Sequence, residues 1–157
     1  MFTRGSYVRP VSTPTPQRAA EVGRRITDAS QAAAHRHPGF ADAIRRSFDR
    51  LRGGLALAHA RSEAVDDNAW AGYVTDLDQG LDELDKEIDH AADHGEDVGD
   101  ALVVHLTGIE LQGWRLQVSL PGVGPRLATA ETELKRYETA RDTAALDRAM
   151  DDLRGTA

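Results

Sequence analysis

Residues 98–120 read VGDALVVHLTGIELQGWRLQVSL, and from Ala101 to Leu120 the only formally charged residues are Glu110 and Arg115. At helical spacing Val98, Leu102, Leu106, Ile109, Leu116 and Leu120 fall on one face, and Val104, Leu111, Trp114 and Val118 fall nearly opposite. A helix that is apolar on two sides has to be covered on both. That demand predicts an all-α fold with this segment at its centre, an antiparallel helical bundle of four main helices plus an N-terminal helix and a flexible N-terminal arm. Two coverings satisfy it. Helices of the same chain can bury both sides, or Val104, Leu111, Trp114 and Val118 can form a surface for self-association or for a protein partner.

The flanking sequence supplies the helices. Upstream, Trp70, Tyr73, Val74, Leu77, Leu81, Leu84, Ile88 and Ala91 make a continuous apolar stripe that Asp66 or Asp67 can cap and Gly95 can stop. Before it, Phe40, Ile44, Phe48, Leu51, Leu55, Ala58 and Val65 predict a helix over 40–65, with Gly53-Gly54 expected to bend or fray its middle. Thr15 and Pro16 can open a first helix carrying Ala19, Val22, Ile26, Ala29 and Ala33, small residues that allow close approach of a neighbour. Residues 1–14 read as an extended arm and residues 15–157 as one helical domain. Downstream of Pro121-Gly122-Val123-Gly124-Pro125, the apolar phase shifts between Tyr137 and Leu146, so a break is expected near Arg141 with Asp142 or Thr143 as a cap. The predicted core comprises Leu77, Leu81, Leu84, Ile88, Leu102, Leu106, Ile109, Leu116, Leu127 and Leu134.

The 157 residues suit a single domain, and with aromatics at only 5% the core must be built from Leu, Val, Ile and Ala. The absence of cysteine removes disulfides, thiol nucleophiles and thiolate zinc sites. No apolar run reaches membrane-span length and Met1–Gln17 lacks the apolar stretch of a secretory signal, so a cytoplasmic location is expected. Charge is divided along the chain: residues 1–62 hold eleven arginines and four acids, and the remainder holds eight bases and twenty-two acids. Basic and acidic helices lying side by side would neutralise each other.

Three constellations could carry chemistry. Glu87 and His90 form a Glu-x-x-His pair with His94 one turn further on, the beginning of a metal site of the ferritin-like kind, although a second copy of the motif would have to come from a dimer. Arg24, Arg25, Arg45, Arg46, Arg50 and Arg52 could contact phosphates and so bind nucleic acid non-specifically, but they do not share one face and no aromatic accompanies them for stacking. His105 lies in the nearly uncharged segment and is expected as a hydrogen-bonded core histidine. No phosphate-cradling glycine loop and no nucleophile motif occurs. The sequence therefore points to a non-enzymatic interaction or assembly module that binds a protein partner or itself and needs no cofactor, with a metal-binding bundle and a nucleic-acid binder as alternatives.

Overall fold

The computed structural model describes residues 15–60, 66–117 and 120–155. The expected arm at 1–14, together with Val65 and Val118, lies outside the described residues. Among the described residues the elements are helices, in the order α1 (Thr15–Arg36), α2 (Ala41–Ala60), α3 (Asp67–Asp93), α4 (Val98–Arg115), α5 (Val123–Ala140) and α6 (Thr143–Arg154), with a 3₁₀ turn at Pro38–Phe40 between the first two. The starts follow from side-chain caps. Asp66 accepts from the Asn68 amide at 3.3 Å, Asp97 from Gly99 at 2.8 Å, and Asp142 from Ala145 at 3.1 Å. Gly95, at φ +68°, supplies the left-handed residue that closes α3.

One boundary and one helix interior differ from the sequence reading. α4 ends at Arg115 rather than Leu120, because its last turn tightens through Leu116 N–H to Gly113 and Gln117 N–H to Trp114 ahead of Pro121, whose ring would clash with the carbonyl four residues earlier. The expected weak point at Gly53-Gly54 is continuous helix, for a reason given below.

α1 to α4 form a four-helix layer in which α2 and α3 each flank α1 and α4. Ion pairs set the relative direction of α1 and α3. Arg18 pairs with Asp67, Arg25 with Asp78 at 2.6 Å, and Arg36 with Asp89 at 3.1 Å, so the numbers rise together and the two helices run parallel. The basic and acidic parts of the chain therefore do lie side by side. This layer encloses the larger core, with Val22 and Ile26 from α1, Phe48 and Leu51 from α2, Leu77, Leu84 and Ile88 from α3, and Leu102, Leu106 and Ile109 from α4.

The remaining helices, α5 and α6, form a hairpin against the other side of α4. A second core gathers there from Ala58, Leu111, Trp114, Val123, Leu127, Ala130, Tyr137, Leu146, Ala149, Met150 and Leu153. α4 is thus sandwiched by its own chain. Of the predicted core, Leu116 and Leu134 are only half-buried and the other eight are buried.

The uninterrupted course of α2 is explained by Gly54, whose hydrogen faces the carboxylate of Glu110, so that a Cβ there would overlap Glu110 itself. Gly53 faces open space. Replacing Gly54 by Ala should cost about 2 kcal/mol despite the better helix propensity of Ala, whereas Gly53→Ala should gain about 0.5–1 kcal/mol. Urea unfolding of the two variants checks the contrast, and equal behaviour would contradict the packing described.

Candidate functional site

Sequence periodicity nominated Val104, Leu111, Trp114 and Val118 as a partner-binding surface. Leu111 and Trp114 are 1% and 0% exposed and lie in the core beneath α5 and α6. They are therefore consumed within the chain, because the α5–α6 hairpin supplies the cover that the second apolar face required. Val104 is different: it is half-buried, packs at the edge of the same core, and also borders a groove on the outside of the bundle.

The groove runs between α3 and α4 and holds about 470 Å³. Its α3 side is formed by Asp76, Gln79, Gly80 and Glu83, and its α4 side by Val104, His105, Gly108, Gln112 and Arg115, with Ile109 at the bottom. A Cβ on Gly80 would come 3.2 Å from Ile109, so glycine is what lets the two helices approach there. At Gly108 a Cβ would meet nothing within 4 Å, and the missing side chain leaves open floor. Toward Arg115 the groove continues into a depression lined by Ala69, Gly72, Tyr73 and Leu116. All outward residues of α4 from Ala101 to Gln112 are uncharged, since its one internal acid, Glu110, points inward. The expected core histidine, His105, instead lines this groove, half-buried.

Polar groups sit unusually deep behind the groove. Glu110 is 2% exposed and its carboxylate accepts from Arg154 Nε at 2.9 Å, from Arg154 Nη2 at 2.7 Å and from Trp114 Nε1 at 3.1 Å. This two-pronged pairing and the indole satisfy a charge that would otherwise be forbidden in a core. Tyr73 is buried with no hydrogen-bond partner for its hydroxyl, and burial, reinforced by the Glu110 charge, raises its pKa well above that of an ordinary phenol. Gln112 Oε1, at the rim, is likewise buried without a partner.

The buried histidine is His59, 2% exposed on α2. Its ring meets Trp70 and Tyr73 edge-on at centroid distances of 5.2 and 5.7 Å, and its Nε2 has no hydrogen-bond partner. The Arg18 guanidinium lies 5.2 Å from the centroid of the Trp70 ring. Burial lowers the His59 pKa from 6.5 to about 4. The histidine of the unfolded chain takes up a proton at higher pH than the folded one does, so stability is intact above about pH 6.5 and declines as pH falls toward 4.

The other candidates are placed elsewhere. Glu87, His90 and His94 are all exposed; the two imidazoles stack at 4.1 Å, and His94 Nδ1 lies 2.9 Å from the His90 carbonyl. Among the described residues no group of three or more His, Asp or Glu is arranged to hold a metal ion. The arginines are mostly engaged with acids: Arg25 with Asp78, Arg50 with Asp147 at 2.7 Å, Arg52 with Asp49 at 3.1 Å, and Arg45 more distantly with Asp42 at 3.9 Å. Arg24 and Arg46 are exposed with no ion pair among the described residues, and they sit on different helices.

The chain matches no family model, no curated protein and no solved structure. The site is accordingly defined by its own geometry. Sequence reasoning missed the Glu110–Arg154 pair and the open glycine floor; the signals for them were a lone acid inside an apolar helix and the glycines at 72, 80 and 108.

Two measurements probe this interior. Arg154→Ala leaves Glu110 buried and short of its cation, and should cost about 3 kcal/mol, detected as a lower urea midpoint at pH 7. The wild-type chain should lose up to about 3 kcal/mol between pH 6.5 and 4 through His59. A His59→Phe variant should show that much less acid sensitivity in the same titration, and an unchanged pH profile would refute the assignment.

Proposed function

We propose that this chain is a non-enzymatic helical interaction module that takes a helix of a partner protein, or of a second copy of itself, in the groove between α3 and α4. The observation that carries this reading is the outward strip of α4: in a chain with 29% charged residues, Ala101, Val104, His105, Gly108 and Gln112 are half-buried and uncharged. A helix side left without charge beside a groove floored by glycine is suited to receive another helix at close range. The groove's acids and bases then set which partners fit.

The alternatives draw less support from the same geometry. A polyanion would meet arginines already held by carboxylates, and Glu87, His90 and His94 do not converge with further ligands. A cytoplasmic setting belongs to the same proposal; among the described residues no helix is long and apolar enough to cross a membrane.

Site-specific photocrosslinking in the cell tests the reading. A photoreactive residue is placed at Gly108, at Gly72 or at Gly53, all positions where a side chain meets open space. Discrete crosslinked products are expected from positions 108 and 72 and not from 53 on the far helix. Absence of product at 108 and 72, or equal product at 53, would overturn it.

A further inference from the structure

We propose that the occupant of the α3/α4 groove is a second copy of this chain, seated about a two-fold axis that runs parallel to the helices. This rests on the groove being an interaction surface, and names what fills it.

The argument begins with the level of each charge along the bundle. α3 and α4 are antiparallel, with Gly80 packed on Ile109, so Asp76 lies near the level of Gln112 and Arg115, and Glu83 lies near that of His105. The two acids lining the groove are therefore on the α3 side, and the groups that can donate to them, the Arg115 guanidinium and the His105 imidazole, are on the α4 side at matching heights. Rotation about an axis parallel to the helices and displaced toward α4 keeps each residue at its own height and sets α4 of each copy in the groove of the other, beside its α3. Asp76 then faces the partner's Arg115 and Glu83 faces the partner's His105, each contact occurring twice. An in-plane axis perpendicular to the helices would instead set α3 against α3, acid upon acid. The charge pattern thus selects one seating of the two faces.

The groups concerned are available. Asp76, Glu83 and His105 have no ion pair or hydrogen bond from their side chains among the described residues. Arg115 donates from Nε to Glu131 of α5 at 3.1 Å, and a guanidinium with five N–H groups can bridge to a second carboxylate. Gly108 and Gly72 leave room for the facing helix without moving either backbone.

Sedimentation equilibrium of the full chain at about 100 µM should return twice the 17.1 kDa of one chain. Asp76→Arg alone and Arg115→Asp alone should each weaken dimerisation by at least about tenfold. An equimolar mixture of the two variants should restore the dimer, since the arginine introduced in one variant then meets the aspartate introduced in the other, while the second contact of the pair is still Asp76 with Arg115. Circular dichroism confirms that each variant is folded; both positions are exposed, and should either variant fail to fold, the parallel exchange of Glu83→Lys with His105→Glu takes its place. A monomeric wild-type chain, single variants that still dimerise, or a mixture that stays monomeric would each overturn the proposal. A monomeric chain whose position 108 crosslinks to a different protein would remove the second copy and leave the groove as an interaction site.

Discussion

Burial of α4 on two opposite sides is the constraint to which the other helices answer. One side faces the layer made with α1, α2 and α3, the other faces the α5–α6 hairpin, and the fully buried Leu102 and Trp114 mark the two. Each large apolar side chain removed from water contributes about 2 kcal/mol, so neither cover can be dispensed with. Glu110 sits where these two packings meet. Its carboxylate draws Arg154 inward from α6 and requires glycine on α2, so that one buried acid of α4 fixes its contacts with both helices.

Charge does a different job. Arg18, Arg25 and Arg36 of α1 turn toward α3 and meet Asp67, Asp78, Asp85 and Asp89, so basic and acidic parts of the chain cancel along one seam. The exposed charged residues of α3 are mostly acids, including Asp76, Asp82, Glu83 and Glu87, with Lys86 among them. Next to it α4 shows an uncharged strip. The face made by α3 and α4 thereby combines an acidic α3 side with an α4 strip that carries no formal charge until Arg115, the arrangement on which the proposed docking depends.

Much of this was legible in the residues. The two-sided pattern of 98–120 called for a sandwiched helix, and the shift of apolar phase near Arg141, followed by Asp142, marked the break between α5 and α6. Periodicity reports which residues share a face, but it does not report what covers that face, and so Leu111 and Trp114 could be read equally as core or as surface. Gly53 and Gly54 look alike in sequence and differ only because Glu110 stands opposite one of them. The same limit applies to the histidines: His59 lies among ordinary helix residues yet is wedged between two aromatics, while His105 lies in the most apolar segment yet borders the groove. Contacts between different helices decide these cases.

The carboxylate at 110 also has an evolutionary corollary. Position 54 is restricted to glycine only while a long acid occupies position 110, and position 154 needs its guanidinium only for the same reason. The three sites form an interlock with few single-step exits: a change at any one leaves either a collision or an orphaned charge. Descendants of this chain should therefore keep the trio intact or replace it as a set, and a lineage with a shorter neutral residue at 110 is the one in which alanine at 54 becomes permissible.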